Sequence, residues 1–368
     1  MIVLKTTQEA VLSALQSVAG IVERRHTLPI LANVLIRKTG PSLQLTTSDL
    51  EIQIRTTAQL EGDSGDFTTT VGARKLIDIL RTMPSDQIVA LESNATKLIL
   101  KGGKSKFTLQ TMAAEDFPLV QESANFGPAF SVPQKTLKHL LSQVSFAMAV
   151  HDIRYYLNGI LFVAEGQQLS LVSTDGHRLA FASATLDVEV PKQEVILPRK
   201  TVIELQRLLS DGEGTIEMQF ANNQAKFTFG SLEFVTKLVE GKFPDYNRVI
   251  PKNPKNSITL GRTALLATLQ RTAILTSDKF KGVRLNIDPG TLRVASNNAE
   301  QEEAVDELDI DYGGDSIEIG FNVTYLIDVL ANLSQDMVKL ELSDGNSSAL
   351  LTIPDNETFK YVVMPMRI

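Results

Sequence analysis

Apolar residues recur along this chain at two different spacings, and the two alternate. Val11, Leu12, Leu15, Val18, Ala19 and Val22 fall on one face of a 3.6-residue period, which predicts an amphipathic helix near the start. Further on, Leu43 with Leu45 and Ile52 with Ile54 alternate with polar neighbours, as half-buried strands do. Leu76, Ile77, Leu80 and Met83 then return to helical spacing. The runs KGGK at 101–104, FANNQA at 220–225 and SDGN at 343–346 stand between short apolar segments and predict hairpin turns.

This succession occurs three times. Leu76-Ile77-Asp78 aligns with Val202-Ile203-Glu204 and with Leu326-Ile327-Asp328, at offsets of 126 and 124 residues. DFP at 116–118 matches KFP at 242–244, again 126 apart. LQLTTSDLEIQI at 43–54 lies over LSLVSTDGHRLA at 169–180 and LRVASNNAEQEE at 292–303. Few identities survive, but residue types and spacings agree. The linker-like stretches ESANFGPAF and IPKNPKNS divide the chain into expected domains at 1–127, 128–252 and 253–368. Each would hold two helices packed on antiparallel sheets with about eight strands, an α+β arrangement.

A length of 368 residues suits more than one domain, and 43% hydrophobic with 21% charged residues suits a folded chain. The absence of cysteine removes disulfides, thiolate nucleophiles and cysteine metal sites. No apolar run approaches the ~18 residues of a membrane span, and the opening MIVLKTTQEA is no secretory signal, so a cytoplasmic protein without a membrane partner is expected. The net charge of −7 argues against a basic nucleic-acid binder unless positive charge is gathered on one surface.

Catalytic chemistry is hard to find, and neither an enzyme nor a metal or cofactor site is expected. His26, His139, His151 and His177 show no metal-ligand spacing. GGKS at 102–105 is half a phosphate loop, but Leu98 stands where the first glycine belongs. Ser173, Asp175 and His177 alternate and would share one strand face, which does not put nucleophile and base in contact. Asp49, Asp175 and Asn298 share one repeat position, as a turn element would. The repeat serves as a control: features of all three copies are structural, and features of one copy are candidates for function. YYLNG at 155–159, GHRL at 176–179 and FPDYNRVI at 243–250 belong to the second copy alone. YVVMPMRI at 361–368 belongs to the third. It is apolar to its last residue, as a buried strand or as a surface kept apolar for a partner.

RYYLNG, STDGHRLA, KFPDYNRVIP and YVVMPMRI, with RRHTLPILANVLI at 24–36 and NNAEQEEA at 297–304, resemble the bacterial sliding clamps, the beta subunits of DNA polymerase III. The resemblance runs the length of the chain. It implies that two three-domain subunits join head to tail into a ring of six domains. The ring encircles double-stranded DNA and tethers a polymerase without performing chemistry. A ring held by topology needs only mild positive potential in its bore, which accommodates a net acidic chain. A peptide-binding scaffold that does not encircle DNA is the alternative, and a hydrolase using Asp175 and His177 a distant third.

The resemblance also implies sites. Arg24, Tyr155 and Tyr156 match DNA-facing positions. A basic dimer edge would contain Lys75, Lys104, Lys106, Phe107 and Leu109, with Lys104 and Lys106 flanking the apolar pair on a strand. It would meet an acidic edge of Glu300, Glu302 and Glu303 near Ile274 and Leu275. A peptide pocket would take Leu157, Thr174, Gly176, His177, Arg178, Leu179, Pro244, Arg248, Val249, Val362, Val363, Met364, Pro365, Met366, Arg367 and Ile368, extended by Asn322, Tyr325 and Ser348. Flexible Met364 and Met366 would adapt to different peptides, and Arg178 and His177 would offer hydrogen bonds at the rim. Implied partners are the polymerase III alpha subunit, the clamp loader delta subunit, translesion polymerases, mismatch repair proteins and ligase, all through short linear motifs. His151 and Asn346 depart from the family pattern, which has a glutamine and a small apolar residue there.

Overall fold

The computed structural model describes residues 2–60 and 65–368. The chain forms two compact units. One runs to Lys135 and adds Ile203–Leu238; the other holds Thr136–Val202 and Val239–Ile368. The first unit is built on a twelve-stranded antiparallel sheet, and the second on a six-stranded and a four-stranded one. Seven helices stand among the described residues: α1 (Gln8–Ala19), α2 (Ala73–Arg81), α3 (Gln134–Val144), α4 (Arg199–Leu208), the one-turn α5 (Tyr246–Val249), α6 (Arg262–Ala273) and α7 (Val323–Ala331).

The helical spacing holds, but both apolar stripes overrun their helices. α1 stops at Ala19 and α2 at Arg81, so Val22 and Met83 lie in the turns that follow. Gly20 follows α1, and a Cβ there would stand 2.3 Å from a carboxylate oxygen of Glu204, which would have to move aside. Pro84 ends the second stripe, because the residue before a proline is pushed out of helical conformation. The strands number eight, six and eight in successive thirds among the described residues. In the middle third, pairs expected as separate strands run on as Gly159–Thr174 and Arg178–Pro198, of 16 and 21 residues.

Three small devices recur in all three repeats. A buried hydroxyl reaches the last turn of each opening helix: Thr47 Oγ1 donates to the Val18 carbonyl, Ser173 Oγ to that of Val144, and Ser296 Oγ to that of Thr272 at 2.6 Å. Those carbonyls have no partner further along the helix. The first residue of each opening helix ties down the end of the second helix. Gln8 Nε2 donates to the Leu80 carbonyl at 2.7 Å, Arg262 Nη1 donates to the Leu330 carbonyl at 2.9 Å, and Gln134 Oε1 accepts from Ser210 N at 3.1 Å. Replacing Ser173, which is fully buried, orphans the Val144 carbonyl. Ser173→Ala is expected to cost about 1–3 kcal/mol in urea unfolding, and an unchanged midpoint would rule the hydroxyl out as a tie.

The third device is the turn at the shared acidic position. Asp49 Oδ1 accepts from Glu51 N at 2.9 Å and Ile52 N at 2.6 Å. Asp175 Oδ1 accepts from His177 N at 2.9 Å and Arg178 N at 3.1 Å. Asn298 Oδ1 accepts from Glu300 N at 3.1 Å and Glu302 N at 2.9 Å. The side chain mimics a backbone turn in each copy. This replaces the expected strand face of Ser173, Asp175 and His177. Ser173 is buried on the strand, whereas Asp175 and His177 lie in the turn beyond its end, and no triad forms.

Candidate functional site

The final strand, Asn356–Val363, lies between Arg178–Pro198 and Ala349–Ile353, so it is a central strand and not an edge. Tyr361, Val362 and Val363 are all buried, whereas a strand with one wet face buries only every second residue. Both faces of the sheet are covered. On one face Val362 joins an apolar cluster with Leu157, Leu179, Phe243 and Leu350, flanked by half-buried Tyr156 and Tyr246. On the other face Tyr361 donates its hydroxyl to the Tyr325 carbonyl on α7 at 2.7 Å and packs its ring 5.7 Å from that of Phe146. Burial pushes the Tyr361 phenol well above its ordinary range.

Three of the expected pocket residues, Leu157, Leu179 and Val362, belong to this cluster. Thr174 Oγ1 donates to the Arg178 carbonyl at 2.6 Å and accepts from Gly176 N at 3.1 Å, which closes the turn between the long strands. Gly176 sits at φ +90°, in the left-handed region that favours glycine. Pro244, Arg248 and Val249 are exposed on and before α5, whose Asp245 cap also pairs with Arg248 at 3.1 Å. Asn322 caps α7 by accepting from Thr324 N at 2.9 Å, and Ser348 precedes the strand Ala349–Ile353. Asn346 lies in the preceding turn, its N–H bonded to Asp344 Oδ1 at 2.8 Å. The His177 ring stacks on Tyr325 with centroids 6.2 Å apart.

Arg178 is not the rim donor that its sequence position suggests. Its side chain is 10% exposed. Nε donates to Asp175 Oδ2 at 3.2 Å, Nη1 to Asp328 Oδ2 at 2.5 Å, and Nη2 to the Phe146 carbonyl at 3.0 Å. The guanidinium also lies 4.7 Å from the centre of the Tyr325 ring. A planar fork with this many fixed partners positions the turn, α7 and the segment after α3 around it. Asp328 and Phe146 are missed by the sequence reasoning. Asp328 repeats the acidic type of Asp78 and Glu204, so the rule that shared features are structural hides it.

Arg154 is a second omission. Its Nη2 reaches Asp152 Oδ2 at 2.9 Å and the Asp175 carbonyl at 3.3 Å, joining the 150s loop to the 174–178 turn. Hydrogen bonds from Arg154 hold the Asp152 carboxyl down at about 2. Because the folded value is depressed, this pin is fully formed above pH ~4 and is lost as pH falls toward 2. A carbon-13 titration should place the Asp152 midpoint near 2, and an unshifted midpoint near 3.8 would break the pairing.

Tyr155 is 57% exposed, and Tyr156 is half-buried with its ring edge-on to its neighbour at 5.8 Å. Both stand in a single 3₁₀ turn, Tyr155–Leu157. Arg24 is exposed beyond the C-terminal end of α1, not on the helix.

Each unit also carries an open sheet edge. On Ser105–Met112, only Thr111 and Met112 pair with Phe67–Gly72, so residues 105–110 have a strand neighbour on one side, Lys97–Gly102. Lys106 is exposed on this strand, while Lys104 lies in the turn before it; Phe107 and Leu109 are half-buried. Arg24, Lys75 and Leu109 line one hollow beside it. In the other unit Glu303–Asp309 is the outermost strand of the four-stranded sheet. Glu303 begins it, Glu300 and Glu302 occupy the turn before it, and Asn298 Nδ2 donates to Glu302 Oε2 at 2.6 Å. Ile274, at 78% exposure, follows α6, with Leu275 half-buried behind it.

Three family models cover the chain in order. They are the DNA polymerase III beta subunit N-terminal domain over residues 2–121, its central domain over 131–245 and its C-terminal domain over 247–367. The beta sliding clamp of Pseudomonas putida is 46% identical over 365 residues, covering 98% of both chains. That of Escherichia coli K12 is 41% identical over 361 residues, also 98% of both. A crystal structure of the Pseudomonas aeruginosa clamp bound to griselimycin superposes with a TM-score of 0.97 at 43% identity, covering 100% of each chain. The Caulobacter crescentus clamp does so at 0.91 with 33% identity, covering 99% of each. With three repeats that share their turns and ties, and with matches that leave almost no residue outside, the chain belongs to the DNA polymerase III beta subunit family.

Proposed function

We propose that this chain is a DNA sliding clamp: a non-catalytic processivity factor that closes as a head-to-tail dimer around duplex DNA and holds its partners through a peptide groove. The observation that carries this reading is the likeness to beta sliding clamps over 98% of the chain, in sequence and in all three domains. The domains run 1–127, 128–252 and 253–368. The basic open edge at Lys104 and Lys106 and the acidic one at Glu300, Glu302 and Glu303 are of the kind that can pair strand to strand between two copies. Arg24, Tyr155 and Tyr156 face the DNA.

The groove floor of Leu157, Leu179 and Val362, with exposed Met364 and Val249 beside it, suits a short peptide carrying bulky apolar residues. Its ligands are linear motifs of the polymerase III alpha subunit, the clamp loader delta subunit, translesion polymerases, mismatch repair proteins and ligase. The work is done in the cytoplasm.

The test is retention. The protein is loaded by its own clamp loader onto nicked circular DNA, and the bound fraction is followed at high salt before and after linearisation. Encirclement gives salt-resistant binding that is lost when the circle is cut. Binding that salt removes and that ignores DNA ends would replace the ring with an electrostatic surface. A protein that binds groove peptides but never stays on the circle would be a peptide scaffold.

A further inference from the structure

The last five residues, Met364–Ile368, leave one sheet and finish on another. Met364 N donates to the His177 carbonyl at 2.9 Å, one step beyond the pairing of Arg178 with Val363. Pro365 has no N–H and ends that ladder. Met366 N then donates to the Gly320 carbonyl at 2.8 Å, on Ile317–Asn322, the edge strand of the four-stranded sheet opposite Glu303–Asp309. Ile368 lies over Gly320 and over Gly282 on the neighbouring strand. A Cβ on Gly320 would stand 2.6 Å from Ile368 Cδ1, and one on Gly282 would stand 3.2 Å from it. Neither glycine is among the residues with positive φ, so the backbone does not call for glycine at these positions. What calls for it is the space that the isoleucine fills.

We infer that Met364–Ile368 is a latched strap and that Ile368 is its latch. Met364 and Ile368 are each about half exposed, so the strap lies on the surface and is held at two backbone points and one seat. Seating Ile368 fixes the backbone from which the Met364 and Met366 side chains extend. The consequence for binding rests on the groove reading. A peptide that enters beside Met364 and needs the tail backbone elsewhere must break the Met366–Gly320 bond and unseat Ile368. The hold of the latch therefore subtracts from the apparent affinity of the groove, as any closed state does.

Two variants test this by different routes. Ile368→Ser weakens the latch and leaves the sheet untouched. Gly320→Ala evicts the isoleucine, because its Cβ would also lie 2.6 Å from the Met366 carbonyl oxygen. The readouts are amide exchange at Met366 by NMR and the association rate of a fluorescein-labelled synthetic pentapeptide with a leading glutamine and two leucines. In both variants Met366 should lose protection at least tenfold while Met364 and the strand 356–363 keep theirs. The probe should bind about threefold faster or more. Unchanged Met366 protection in both variants overturns the latch, and lost protection with unchanged association overturns its link to binding. If the unaltered chain does not bind the probe at all, the groove reading and that link fall together, and exchange at Met366 alone decides the latch.

Discussion

Arg178→Ala should destabilise this protein by roughly 3 kcal/mol and abolish binding of groove peptides. The charged network around Arg178 sets the size. Removing one partner of a buried ion pair costs about 3–5 kcal/mol because the other charge is left without compensation. Here the low end applies, since the Asp328 side chain is 31% exposed and water can reach it. Three elements lose their common anchor at once: the 174–178 turn through Asp175, α7 through Asp328, and the segment after α3 through the Phe146 carbonyl. The apolar cluster proposed as the groove floor takes residues from the strands on either side of that turn, so peptide affinity should fall with stability and not independently of it. Arg178→Lys keeps the charge but not the fork, and should recover less than half of the loss. Urea unfolding and fluorescence anisotropy give the two readouts. An Ala variant with an unchanged midpoint would mean that the network is spectator geometry.

The second large effect is expected at the open edges. Lys104→Glu combined with Lys106→Glu makes the basic edge acidic, so each junction of the proposed ring would face carboxylate against carboxylate. Like charges across an interface are strongly disfavoured, and a hundredfold rise in the dimer dissociation constant corresponds to about 2.8 kcal/mol. Sedimentation across a dilution series reads this directly. Adding Glu300→Lys and Glu302→Lys should restore much of the dimer, because the junction is then complementary again with its signs exchanged. Failure of the swap to recover any dimer, with each variant folded, would move the interface elsewhere. The effect should shrink with salt, since these side chains are exposed.

Much of this architecture is legible in the sequence because its signals are periodic and repeated. The opening helix, the hairpin turns and the threefold offset all follow from patterns that burial imposes. The shared position of Asp49, Asp175 and Asn298 is rightly a turn, since only the short side chain and its one acceptor oxygen matter there. What the sequence hides are pairings at long range. Nothing local says that Asp328 reaches Arg178, 150 residues away, or that the last strand is covered on both faces. Ile368 on its glycine seat is equally silent, because Gly282 and Gly320 look like ordinary strand interruptions until the tail is laid across them. Rules of local alternation fail at Tyr361–Val363 for the same reason: they assume one wet face.

A turn of this kind needs a single acceptor oxygen, and an aspartate or an asparagine brings one group more than the turn consumes. In the middle repeat that surplus oxygen, Asp175 Oδ2, holds the Arg178 side chain. In the third repeat the surplus group is the amide nitrogen of Asn298, and it holds Glu302 on the acidic edge. The same turn thus makes two different side-chain contacts through the group that the turn itself leaves unused.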